Sequence, residues 1–273
     1  IIFFFFLALN GLLFNQHKLK FIGLFFLSII SFRSMMLLGD FFLFDIINTL
    51  YIKKEKLKSV LNVEFILFYF LGSLPGIAFV IWRLVTKGWL QTHPNSPWAG
   101  LWQIATPKIF FKNLITLIHR YLDFGRVFIA LFLLVSFVLY GKKIIASTKN
   151  KQLVLLAITS VIFIVIISLF ATNTLGHRYF IVSYICLILL AFHILNSFYI
   201  NKKVIYCFLF VGLLSGNLWV YPREIAQGWD ATLAHIPYYK LRVQAINYLN
   251  ENNIPVEEVA TFFPNKTSID NID

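Results

Sequence analysis

The sequence predicts an all-α polytopic membrane protein with about eight transmembrane helices and a small external C-terminal α/β segment. Three observations predict it. Charge is scarce and patchy, apolar runs recur at membrane-crossing length, and lysines gather in alternate short loops between those runs.

Only 13% of the 273 residues are charged, while 59% are hydrophobic and 18% aromatic; ordinary soluble domains are about 25% charged. No acid lies between Glu64 and Asp123, nor between Asp123 and Glu224. A soluble domain cannot clothe its surface with so few charges, so most of the chain must face lipid or other helices. The net charge of +12 would suggest nucleic acid in a soluble protein. Here the positives fall in short loops, the pattern of a cytoplasmic membrane face in contact with anionic lipid, and nucleic acid is set aside as a partner. Cys186 and Cys207 lie inside apolar runs, with neither metal-ligand nor disulfide spacing, and read as packing residues. The spacing of residues suggests no metal site and no bound cofactor. The chain opens Ile1-Ile2-Phe3-Phe4 without Met or a basic leader, so the expectation is that it starts inside a spanning segment whose upstream part is missing.

Taken in order, the first apolar run is 1–14. The stretch 21–52 is interrupted by Arg33, with Asp40 and Asp45 beyond it, and reads as two short helices, 21–32 and 35–51, meeting at a tight turn; one long helix is the alternative. Runs 63–84, 153–171, 179–199 and 204–220 are clear spans, and 127–140 is a shorter one. The loops 15–20, 53–62, 141–152 and 201–203 hold Lys18, Lys20, Lys53, Lys54, Lys56, Lys58, Lys142, Lys143, Lys149, Lys151, Lys202 and Lys203, half of the 24 basic residues. Positive-inside counting puts these loops in the cytoplasm and the rest outside, and the alternation works only if 21–51 crosses twice. A transmembrane domain thus spans 1–220, with an external loop at 85–126 and an external C-terminal segment at 221–273.

In that loop Trp89, Trp98 and Trp102 suit the headgroup layer. Residues 107–122 set Ile109, Phe110, Leu114, Leu117, Ile118 and Tyr121 opposite Lys108, Lys112, His119 and Arg120, an interfacial amphipathic helix. The tail has a helical pattern at 238–251, and the run 256–263 suits a strand.

Soluble-enzyme motifs are absent, which leaves charges placed where charge is costly. Arg33, at the outer turn of the helix pair, must snorkel, pair with an acid, or bind an anion; its planar fork suits phosphate. Asp40 and Asp45 lie five residues apart and do not form a carboxylate pair on one face. The turn ending Gly176-His177-Arg178-Tyr179-Phe180 puts His177 and Arg178 at the mouth of a helix, where amide donors also favour an anion; an interfacial anchor is the plainer reading. Lys87, His93, Lys112, His119, Arg120, Asp123 and Arg126 belong to the external loop, most of them in water or headgroups. His193 reads as a packed histidine within a span.

The helix pair with its basic outer turn, the His177-Arg178-Tyr179-Phe180 turn opening a span, and the tail beginning Tyr221-Pro222-Arg223-Glu224 together resemble the C-type-fold membrane glycosyltransferases. The resemblance is particularly to bacterial family 39 enzymes related to the protein O-mannosyltransferases and the aminoarabinose lipid A transferase. The family often carries a proline a few residues after Arg-Tyr; Phe180-Ile181-Val182-Ser183 has none. The resemblance implies an inverting transfer of sugar from a polyprenyl-phosphate carrier to an external acceptor glycan, lipid or protein, in a bacterial inner membrane. It implies a catalytic Asp in an external loop upstream of Ile1, a carrier phosphate held by Arg33, His177 and Arg178, and Lys87 and Arg120 on the cavity rim. The rival expectations are a lipid or polysaccharide transporter and a membrane assembly protein without chemistry.

Overall fold

The computed structural model describes residues 1–90, 103–172, 176–219 and 236–254. The chain divides into two units, residues 1–216 and 217–273, each considered by itself. Ten helices form the described part of the first: α1 (Ile2–Leu13), α2 (His17–Ile30), α3 (Phe32–Ile47), α4 (Val63–Lys87), α5 (Pro107–Leu122), α6 (Arg126–Ala146), α7 (Thr148–Thr159), α8 (Ile162–Phe170), α9 (Ile181–Phe198) and α10 (Lys202–Ser215). A π-helical turn, Asn48–Ile52, extends α3, and a 3₁₀ turn, His177–Phe180, leads into α9.

The predicted helix pair is present, but its break falls at Ser31 rather than at Arg33, which lies in the first turn of α3. Ser31 is fully extended (φ −168°, ψ 161°) and starts α3 with a capping box: its hydroxyl accepts from Ser34 N–H at 3.2 Å, and its own N–H donates to Ser34 Oγ at 2.9 Å. Reciprocal capping satisfies two donors that a helix start would otherwise leave open. At the far end of the pair, Lys20 near the start of α2 meets Asp45 near the end of α3 at 2.6 Å, so the two helices run antiparallel.

Close backbone approach joins α1, α2 and α4. Asn15 takes the left-handed conformation (φ 54°) in the turn after α1, which a short polar side chain tolerates. A Cβ on Gly23 would lie 2.6 Å from the Cβ and the nitrogen of Ala8. Gly72 and Gly76, a Gly-x-x-x-Gly pair on α4, face Leu24 and Ser28 of α2, and Gly76 N–H donates to Ser28 Oγ at 3.2 Å. Small residues permit this approach where lipid supplies no hydrophobic drive between helices.

The lysine-bearing loops share one end of the bundle. Gln152 Nε2 donates to Asn48 Oδ1 at 3.0 Å, Asn150 Oδ1 meets His193 Nε2 at 2.8 Å, and Ser136 and Tyr199 hydroxyls lie 2.9 Å apart. These contacts bring the start of α7, the end of α3, the end of α9 and the second half of α6 together. All five arginines of residues 1–216 (Arg33, Arg83, Arg120, Arg126, Arg178) lie at helix ends or turns remote from those loops: at the starts of α3 and α6, in the last turns of α4 and α5, and in the turn before α9.

The described residues contain no strand beyond an isolated bridge between Ile104 and Ala171. Five helical stretches among them are long and apolar enough to cross a membrane: Phe32–Ile52, Val63–Lys87, Arg126–Ala146, Thr148–Phe170 and His177–Phe198. With apolar side chains as exposed as Val85 (80%) and Val138 (78%), they fit an integral membrane protein. The expected count of about eight exceeds these five, because α1, α2 and α10 have 12, 14 and 14 residues, short of the ~20 that a straight crossing needs.

The expected continuous span 153–171 is interrupted at Ser160–Val161, between α7 and α8. Thr159 and Ser160 hydroxyls donate back to Leu155 O (3.0 Å) and Ala157 O (3.2 Å), and such back-bonding bends helices. In the second unit the described element is α11 (Ile236–Glu251). The expected strand at 256–263, the segment Tyr221–His235, and His93, Trp98 and Trp102 lie outside the described residues.

Candidate functional site

The cap at Ser31 fixes the first turn of α3, and with it Arg33. Its guanidinium carbon lies 3.5 Å from the centroid of the Tyr179 ring. Arg178 approaches the same residue: its Nη2 donates to the Tyr179 hydroxyl at 2.9 Å, and its guanidinium carbon is 5.0 Å from the ring centroid. The separation of the two guanidinium groups therefore cannot exceed the sum of 3.5 Å and 5.0 Å, well inside the roughly 15 Å beyond which two such groups could not clamp one phosphate through hydrogen bonds of about 3 Å. Among the described residues no ion pair joins either arginine to a carboxylate. The aromatic face offsets part of their repulsion by cation–π attraction. Arg178 is exposed, Arg33 and Tyr179 half-buried.

His177 turns the other way, toward the corner between α5 and α6. Phe124 (φ 54°) and Gly125 (φ 74°) make that corner through two successive left-handed residues. Gly125 also lies so close to Gly212 and its neighbour on α10 that a side chain has no room. The corner aims Asp123 and Arg126 at the imidazole: Asp123 Oδ2 lies 3.4 Å from His177 Nε2, and Arg126 Nη2 lies 3.2 Å from His177 Nδ1. A guanidinium only donates, so Nδ1 accepts and the ring proton sits on Nε2, facing the carboxylate. Both imidazole nitrogens are thus engaged within the protein. Arg126 Nη2 also donates to Arg120 O at 2.6 Å, and its guanidinium carbon lies 4.0 Å from the Tyr184 ring.

Arg120, expected on the polar face of an interfacial helix and on a cavity rim, is 1% exposed. The buried face of α5 is Asn113, Leu117 and Arg120, while Phe111, Ile115 and Ile118 point outward. The expected sidedness fails because lipid accepts an outward apolar face, while polar groups need partners inside. Asn113 shows the need, donating to Leu169 O at 3.1 Å and Ala171 O at 2.8 Å, the carbonyls that α8 leaves open at its end. Burial lowers the Arg120 pKa from its usual range, with Tyr184 opposing. Burial also pushes the Tyr121 hydroxyl well above its usual value, although a 2.9 Å bond to Ser183 works against the shift.

Two further groups complete the arginine-rich end. Arg83, in the last turns of α4, has its guanidinium carbon 4.1 Å from the Trp89 ring and 5.9 Å from that of Phe32. Lys87 is exposed in the last turn of α4, just before Gly88 (φ 71°) ends the helix. Sequence reasoning passed over Arg83, and it put Arg126 in solvent. The one available signal was position: both stand at the ends of long apolar runs. Asp40, by contrast, is a helix cap. Its Oδ1 accepts Phe163 N–H at 3.0 Å, at the restart of α8, while Oδ2 is buried without a hydrogen-bond partner among the described residues. No protein-family model, curated protein or solved structure matches this chain.

Proposed function

We propose that this chain is the membrane-embedded part of an inverting C-type-fold glycosyltransferase, moving a sugar from a polyprenyl-phosphate carrier to an acceptor on the external face. The observation that supports it best is the meeting of Arg33 and Arg178 on Tyr179. Two permanently charged forks on one aromatic platform form an anion clamp, which holds a phosphodiester and stabilises the extra charge as the phosphate leaves. His177, held by Asp123 and Arg126, positions Arg178 beside it, and Lys87 draws anionic headgroups to the rim. The carboxylate that activates the acceptor is assigned to no residue of this chain.

In this reading the short helices α1, α2 and α10 also cross, for eight passes. The lysine loops face the cytoplasm of a bacterial inner membrane, and the C-terminal segment faces outward. Cysteines placed at Ser59 and Lys202 should resist a membrane-impermeant label in intact cells, while one at Trp229 reacts. The reverse pattern inverts the orientation.

The chemical test uses the full-length protein in proteoliposomes, following transfer of labelled sugar from a polyprenyl-phosphate donor. Arg33→Gln and Arg178→Gln should each lower transfer about 100-fold or more, with membrane insertion unchanged. Unaltered transfer by Arg178→Gln would leave this arginine an interfacial anchor.

A transporter is the second reading, favoured by the buried polar groups Asp40, Asp45, Asn48 and Thr49 along α3. It requires substrate movement across sealed vesicles that Asp40→Asn abolishes, with no sugar transfer in either protein.

A further inference from the structure

Arg33, Tyr179 and Arg178 differ from the other polar groups of the arginine-rich end in what they leave unspent. Arg126 gives its Nη2 to Arg120 O and His177 Nδ1, and Asp123 faces His177 Nε2 at 3.4 Å. The Arg33 guanidinium instead lies over the Tyr179 ring, its carbon 3.5 Å from the centroid. A guanidinium stacked on a ring keeps its N–H edge clear for other partners. Among the described residues no acceptor meets that edge.

The Tyr179 hydroxyl has a defined role toward Arg178. Arg178 Nη2 lies 2.9 Å from it, and a guanidinium only donates, so the hydroxyl accepts there. Its own proton is left over, and among the described residues nothing takes it. The three side chains therefore offer N–H groups from two guanidiniums and one phenolic O–H, with no carboxylate among them. A set of donors selects an anion, and its charge selects further. Two permanent positive charges are balanced by a ligand with two negative ones, whereas a singly charged ligand leaves one cation uncompensated. A phosphate diester carries one negative charge; a monoester carries two above its second pKa of about 6.

We propose that Arg33, Arg178 and the Tyr179 hydroxyl form a site for a phosphate monoester in its dianionic form. Resting on the transferase reading, this makes the spent carrier, a monoester, bind more tightly than the loaded carrier, a diester, and compete with it. The Tyr179 hydroxyl is the third donor to the phosphate, beyond its ring's part as a platform.

The test follows thermal unfolding of the full-length protein in a non-ionic detergent, with decyl phosphate and methyl decyl phosphate as probes. The two share one chain and differ in the second ester. At pH 7.5 the wild type should need about tenfold less monoester than diester for the same rise in melting temperature. At pH 5 the monoester carries a single charge, and the two probes should become equivalent. Tyr179→Phe keeps the ring and loses the hydroxyl, and should need about tenfold more monoester; Arg33→Gln should need at least as much. Lys108→Gln, an exposed cation on α5, should respond as the wild type does. The ester comparison uses no variant, so it decides whether or not a variant folds. Equal affinity for the two esters at pH 7.5, a preference that survives at pH 5, or a Tyr179→Phe protein that binds like the wild type overturns the proposal. Monoester preference without any sugar transfer would end the transferase reading and leave this site standing. Transfer lost in both arginine variants, with equal affinity for the two esters, would do the reverse.

Discussion

Asp40 accepts the backbone N–H of Phe163 at 3.0 Å, so a carboxylate on α3 closes the first turn of α8. The N–H groups of a helix's first turn have no partner in their own helix, and the interruption at Ser160–Val161 would otherwise leave this one in an apolar interior. Asp40→Ala should cost about 1–3 kcal/mol, seen in detergent as a fall of roughly 2–4 °C in Tm per kcal/mol. Asp40→Asn keeps the acceptor oxygen and should lose less than half as much. Equal losses would show that charge, not the acceptor, matters.

Asn113 joins α5 to the end of α8 through two carbonyls. Asn113→Leu removes both bonds and should lower the melting temperature, by about 1–3 kcal/mol in stability. Asn113→Asp sets a carboxylate against two carbonyl oxygens and should be worse than Leu, most clearly at neutral and alkaline pH. A milder effect from Asp would mean that the amide is not the donor.

Gly23 and Gly141 make a matched pair. A Cβ at Gly23 meets Ala8 at 2.6 Å, whereas one at Gly141 meets nothing within 4 Å. Gly23→Ala should therefore destabilise or prevent folding, while Gly141→Ala, in mid-helix, should be neutral or stabilising by about 0.5–1 kcal/mol. Fluorescence-detected gel filtration after heating separates the two outcomes.

Tyr121 supplies a pH dependence. Burial raises its pKa in the folded protein, while in the unfolded chain it loses its proton near pH 10. The stabilisation is therefore complete below about pH 10 and is lost as pH rises further, because only the unfolded state then releases the proton. Melting curves from pH 8 upward should slope down above that point, and Tyr121→Phe should flatten the slope. An unchanged slope would assign it to other groups.

The sequence made the helix pair legible because Arg33 interrupts an apolar run and a charged group there needs a turn. It also made the lysine-bearing end legible, since lysine density marks loops directly. What stayed hidden depends on partners far apart in the chain. Nothing near Asp45 announces Lys20, and nothing near Arg120 announces that Tyr184, whose hydroxyl donates to Arg120 O at 3.2 Å, folds over it. Amphipathic pattern misled at α5 for a physical reason: in lipid the apolar face is free to point outward. The pairing of Arg33 with Arg178 was an expectation, and Tyr179, the residue that makes it geometric, stood in the motif without a role.

The contacts of α1, α2 and α4 have a mechanical consequence. Where backbones touch at glycine, no intervening side chain can change rotamer to absorb sliding, and displacement by one residue would drive a Cβ into a neighbouring main chain. The three helices are thus locked in register and move as one lever. The lever ends at Ser31, whose extended backbone is its joint to α3. A swing of this lever about Ser31 would have to break the contacts of Lys20 and Tyr69 with Asp45 at the other end of α3.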